Sequence, residues 1–213
     1  MLWSHARKLT VFALALRLSQ AAAGPTLAQT ATPAVYPTAP DPNECVVEST
    51  PMEEIAAILG TPVAEPDDNA TPFAPPAGQP ADAETSAQVV ATLHQVFACA
   101  NAGDRLRVAS LFTDDFVRNF FAGPPLPDLL DFLAIPPQPL PEEEKRIIIR
   151  FGEVQLLPDS RAGVVIVLDE PDDPRTEEPD YAILEQVQGG WLIDELHEDA
   201  GATVTPATGI PTP

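Results

Sequence analysis

The chain has 213 residues, 32 of them acidic and 11 basic, giving a formal charge of −21 and an isoelectric point near 4.1. A surface so negative gains nothing from a polyanion, which excludes nucleic acid as a partner and argues against anionic lipid headgroups. With 45% apolar residues the chain can bury a core, while its 26 prolines gather in the N-terminal region and the loops and mark connectors.

Arg7 and Lys8, the apolar run Leu9–Leu16 and the small residues Ala21, Ala22 and Ala23 predict a secretory signal over residues 1–28, cleaved after Ala23 or Ala28. The run is far shorter than the ~18 residues a bilayer span needs, Arg17 interrupts it, and no later stretch is apolar enough to be a span. The mature protein is therefore expected to be secreted or extracytoplasmic. Residues 29–44, rich in Thr, Ala and Pro, read as a disordered linker, either a stalk or a tail left by processing.

Residues 45–81 read as a small capping helix followed by a Pro-rich connector. Thr50 and Glu53 form a capping box around Pro51, and Met52, Ile55, Ala56 and Leu59 follow at helical spacing until Gly60 and Pro62 end the element. A helix this short cannot persist alone in water, so it must dock on the main domain. Cys45 and Cys99 are the only cysteines; in an exported protein two argue for one bridge, with two buried thiols as the alternative. In the connector, Phe73 is the residue expected to touch a core. The Ala and Pro bias points to a bacterial source, which gives the sequon Asn69–Ala70–Thr71 little weight.

From Asp82 the pattern changes. Val89, Leu93, Val96, Phe97 and Ala100 lie on one stripe of a helix that Asp82 caps and Gly103 stops. Asp104 can cap a second helix carrying Val108, Leu111 and Phe112, with Thr113, Asp114 and Asp115 breaking it. Phe116, Val117, Phe120 and Phe121 suit a third, and Asp128 to Leu133 one further turn. Strands follow. Ile147, Ile149 and Phe151 alternate until the parity changes at Gly152, which predicts a β-bulge there. Val164–Leu168 is an unbroken apolar run expected at the sheet centre, and Tyr181–Gln188 and Trp191–His197 flank a Gly189–Gly190 loop. Residues 199–213 read as a disordered tail.

The long helix ending in CANAGD (Cys99–Asp104), the short helix ending in LFTDDF (Leu111–Phe116) and the late strand GWLIDEL (Gly190–Leu196) resemble the SnoaL-like branch of the nuclear transport factor 2-like superfamily over residues 82–198. The resemblance implies an α+β, cone-shaped domain with N-terminal helices packed on a strongly curved antiparallel sheet. It further implies a cavity between helices and sheet, into which catalytic relatives project an acid, a histidine or a tyrosine, and a homodimer formed through the open sheet face.

Three functions follow from these readings: a secreted non-catalytic domain holding a small apolar ligand, an enzyme of SnoaL-like or ketosteroid-isomerase-like type using cavity carboxylates, and a dimerising interaction module. Candidate pocket residues are Phe97, Phe116, Phe120, Tyr181 and Trp191. If Gly189–Gly190 is the hairpin loop, Gln188 faces Trp191 and Glu185 faces Asp194, so these two carboxylates are the candidate acid pair, with a solvent-facing role as the alternative. No cofactor is indicated. The acidic run Asp169–Asp180 lacks the alternating ligands and central glycine of a calcium loop, and His94 and His197 do not suffice for zinc.

Overall fold

The computed structural model describes residues 36–62, 73–169, 179–198 and 200, which all lie in one compact unit. The signal segment, the sequon, the core of the acidic run and nearly all of the tail fall outside the described residues.

The fold is α+β. Helix α2, Ala83–Asn101, starts where Asp82 accepts a hydrogen bond from the Thr85 N–H at 2.7 Å and buries Val89, Leu93, Val96 and Phe97 along its stripe. It stops at Gly103, whose φ of +67° suits glycine and where a Cβ would lie 2.2 Å from the Gln138 carbonyl oxygen. Asp104 then caps α3, Arg105–Ala109, through the Arg107 N–H. Thr113, Asp114 and Asp115 behave otherwise than expected: they begin a helix rather than end one. The Thr113 hydroxyl accepts the Phe116 N–H, and both aspartates sit in the first turn of α4, Asp114–Phe120, where the helix dipole favours negative charge. Helix α5 covers Leu126–Leu133, two residues longer at its start than the sequence suggested.

Against α2 lies an open, wholly antiparallel six-stranded sheet: β1 (Gln79–Pro80), β2 (Ile147–Phe151), β3 (Gln155–Leu156), β4 (Ala162–Asp169), β5 (Pro179–Val187) and β6 (Gly190–His197). The order is β1-β3-β4-β5-β6, and β2 pairs with the other end of β4. The apolar run thus sits centrally, as expected. The bulge does not sit at Gly152. Register shifts between Ile148 and Arg150, making Ile149 the extra residue and turning Ile148 into the core; at Gly152 the strand ends, and β3 resumes alongside β4.

Alternation along the strands builds two cores. Ala162, Val164, Ile166, Ala182, Leu184, Trp191 and Ile193 meet α2 on one face. On the other, Tyr181, Ile183 and Leu157 are covered by Phe73 and Ala200. Tyr181 lies so close over Gly163 that a Cβ there would fall 2.0 Å from its hydroxyl, so only glycine fits. A third cluster joins α1, Met52–Leu59, to α3 and α5 through Ile55, Ala109, Leu129 and Leu133.

The N-terminal segment departs from expectation twice. Residues 36–44 are not a free linker: Thr38 exchanges backbone hydrogen bonds with Ile148, and Asp41 and Glu44 form a capping box around the 3-10 turn Pro42–Glu44. Nor does Thr50 cap α1. Its N–H donates to the Ser110 hydroxyl at 2.6 Å, and α1 starts at Met52 with Pro51 in the N-cap position and no side-chain cap. The Cys45–Cys99 disulfide is formed, closing a separation of 54 residues. It ties the segment before α1 to the last turn of α2.

Candidate functional site

The five aromatic pocket candidates do not line one cavity. Phe97, Phe116 and Trp191 are buried together in the core against α2. Tyr181 is on the opposite sheet face because it is one residue out of phase with Ala182, and Phe120 is 59% exposed on α4, stacked on Phe116.

The Glu185–Asp194 pair does not form. The hairpin loop is Gln188–Gly189, with φ of 52° and 88°, and Gly190 belongs to β6. Val187 therefore faces Gly190, Gln186 faces Trp191, and exposed Glu185 faces Leu192. The expected register would have set Leu184 against Glu195. The observed one sets it against Ile193, so two buried side chains meet across the strands, and that burial decides the register. Register shifts again between Ile183 and Leu184, leaving Asp194 as the extra residue on β6.

That bulge builds a charged cluster the sequence did not disclose. Beyond it Glu195 and His197 join the face of Ile183 and Tyr181, and Arg161, from the β3–β4 turn, reaches across to them. Its Nη1 donates to Asp194 Oδ2 at 2.8 Å and to Glu195 Oε1, and its Nε donates to Asp159 Oδ2 at 2.8 Å. Asp194 also accepts from the Thr113 hydroxyl at 2.9 Å, and Glu195 is 2.8 Å from His197 Nε2. The His197 ring stacks on Phe73 with centroids 3.4 Å apart. Hydrogen bonding to Glu195 holds the Arg161 guanidinium charged well beyond its ordinary range. Burial opposes the charge on Glu195, yet the bonds from Arg161 and His197 outweigh it and leave its carboxyl below the usual range.

A lowered carboxyl pKa stabilises the fold above the unfolded value, about 4.3 for glutamate, and that contribution disappears as pH falls through the folded value. Arg161→Met is expected to reduce unfolding free energy by about 1–2 kcal/mol at pH 7, the partial exposure of Glu195 keeping it modest, and by much less at pH 3. Urea unfolding at the two pH values measures this; an equal loss at both would show that Arg161 acts by packing.

A separate cleft of about 230 Å³ opens where α1, the α3–α4 junction and the tip of the β5–β6 hairpin converge. Ile58, Phe112 and Leu192 supply its apolar surface, with the buried Ile55 and Val117 packed beneath. It forms because residues 111–113 run beside β6: the Thr113 N–H donates to the Ile193 carbonyl and the Ile193 N–H to that of Leu111, each at 2.9 Å, which sets α4 against the hairpin. Thr50, Glu54, Ser110 and Asp114 add polar groups. The Ser110 hydroxyl is committed, donating to the Leu106 carbonyl while it accepts from Thr50. Glu54 and Asp114 form no ion pair among the described residues, and no basic residue lines the cleft.

Among the described residues no group of three or more His, Cys, Asp or Glu is placed to hold a metal ion, and no helix is long and apolar enough to cross a membrane. His94 lies beside Glu44, 3.8 Å from its Oε2. Comparison with known proteins finds no matching family model, curated relative or solved structure.

Proposed function

We propose that this chain is a non-catalytic, small-ligand-binding domain of SnoaL-like type, belonging to a secreted protein, and that the cleft between α1, the α3–α4 junction and the hairpin tip is its binding site. The cleft carries the reading: it is a concavity in which Ile58, Phe112 and Leu192 stand beside Thr50, Glu54 and Asp114, with more polar than apolar surface exposed, and small-molecule sites are concave and combine the two kinds of group. Its volume of about 230 Å³ exceeds the ~150 Å³ of an apolar cavity able to take up benzene and falls short of the ~300 Å³ of sites for drug-sized molecules. The ligand is accordingly small, on the order of ten heavy atoms.

The helices-then-antiparallel-sheet order supports the SnoaL-like part of this reading, and the disulfide is compatible with an oxidising, extracellular setting. The site differs in place from the resemblance's expectation, since Phe97, Phe116 and Trp191 fill the interface between α2 and sheet. The catalytic reading lost the acid pair that motivated it when Glu185 took Leu192 as its partner. A homodimer through the sheet is disfavoured because Phe73 and Ala200 already cover Tyr181 and Ile183 on the outer face.

Toluene is expected to bind saturably with a Kd of about 1 mM or tighter, read by calorimetry. Ile58→Trp, which places a large ring in the cleft from a partly exposed position on α1, should abolish that binding with the far-UV dichroism unchanged. Undiminished binding by a folded Ile58→Trp variant would remove the cleft as the site.

A further inference from the structure

Away from the cleft, the outer face of the sheet carries a cover that is weakly held. Residues 73–78 lead from Phe73, packed against Leu157, Tyr181 and Ile183, to strand β1. Among the described residues, 74–77 make no hydrogen bond, and Pro75 and Pro76 have no N–H to give one. The segment is anchored where it meets the sheet: Gln79 and Pro80 pair with Leu156 and Gln155, and a Cβ on Gly78 would fall 2.9 Å from the Leu156 carbonyl oxygen. At its other end the hold among the described residues is the Phe73 ring. That ring is tilted against Tyr181, with centroids 5.7 Å apart, and lies flat on His197, with centroids 3.4 Å apart and planes 5° from parallel. Rings so directly superposed gain less than an offset or edge-to-face pair.

The cover also seals in a group that opposes closure. Tyr181 is 4% exposed, and its hydroxyl is buried with no hydrogen-bond partner among the described residues. Burial pushes its phenol pKa up, and no hydrogen bond acts against that. Water satisfies the hydroxyl once the face is uncovered, so its desolvation works against the closed state. We propose that residues 73–78 are a strap that opens locally: Phe73 leaves the outer face, Leu157, Tyr181 and Ile183 meet solvent, and the sheet and its α2 face stay folded. Opening breaks no hydrogen bond of residues 74–77 and leaves the β1–β3 pairing in place as the hinge. Segments with few hydrogen bonds and little buried contact are the ones that open below the free energy of global unfolding.

Thiol labelling of the folded full chain with dithiodipyridine tests this. Both native cysteines are bridged, so one introduced thiol is the only one to react. Ile183→Cys and, as a second position, Leu157→Cys report on the outer face, while Val164→Cys reports on the face against α2. Below the unfolding midpoint, labelling at 183 and 157 is expected to depend little on urea, and labelling at 164 to rise steeply with it. Added to Ile183→Cys, Phe73→Ala should speed labelling at least about tenfold by removing the hold. Tyr181→Phe should slow it at least about fivefold, because the closed state then buries no unpartnered hydroxyl. A urea dependence at 183 and 157 as steep as at 164 overturns the strap, since only global unfolding then uncovers the face. Labelling unaffected by Phe73→Ala overturns it as well, and labelling that Tyr181→Phe leaves unchanged or speeds removes the hydroxyl as the group that opposes closure.

Discussion

Replacing both Cys45 and Cys99 with alanine is expected to lower the unfolding free energy by about 4 kcal/mol, because the bridge closes a loop of 54 residues whose ends would otherwise be free in the unfolded chain. For a domain of this size that corresponds to a fall in Tm of roughly 8–16 °C. The same loop is held by weaker links: Gln95 Nε2 donates to the Glu44 carbonyl and its Oε1 accepts the Val46 N–H, while Arg107 Nη1 donates to the Cys45 carbonyl. These keep the folded geometry without the bridge, so the loss should be one of stability and not of fold. Denaturant unfolding of the oxidised protein and the variant measures it. A difference below about 1 kcal/mol would mean that the unfolded chain already holds these ends close.

The second large effect is expected at Asn101, the last residue of α2 and fully buried. Its Nδ2 donates to the carbonyls of Pro40 and Arg146, each at 3.1 Å, and its Oδ1 accepts the Arg146 N–H at 2.9 Å. One amide thereby joins the N-terminal segment, the end of α2 and the entry to β2. Asn101→Ala strands two carbonyls and an N–H away from water and should cost about 3–5 kcal/mol. Asn101→Asp retains the acceptor but not the donor and sets a charge against two carbonyls, so it should be no better at pH 7. A loss under about 1 kcal/mol for Asn101→Ala would show that water takes over the amide's role.

Asn101 also marks where reading the chain residue by residue stops. Helix α2 is legible because its stripe, the Asp82 cap and the Gly103 stop are all local, and so is the Cys45–Cys99 pairing, since two cysteines leave one possible internal bridge. The partners of Asn101 lie 61 and 45 residues away and follow no spacing rule. The hairpin shows the same limit. Gly189–Gly190 is a sound local loop, but the register was decided by the burial of Leu184 against Ile193, which forced Gln188 into a positive-φ position and pushed Asp194 out as a bulge. Arg161 lies in a turn that carries no signal of its own, and its partners converge on it only after that bulge turns Glu195 and His197 over. The cleft is assembled from residues near positions 50–58, 109–117 and 187–192, whose meeting no single stretch announces. Thr50 illustrates the cost of local reasoning: a plausible cap on paper, it gives its N–H to Ser110 at the edge of the cleft instead.

The claim that this cleft is the ligand site is tested most directly by intermolecular nuclear Overhauser effects between toluene protons and the methyl groups of the labelled protein. The account predicts contacts to Ile55, Ile58, Val117 and Leu192, lost in Ile58→Trp. Contacts confined to methyls of the α2–sheet core, such as Leu93, Val164 and Leu184, or none at saturating toluene, would contradict it.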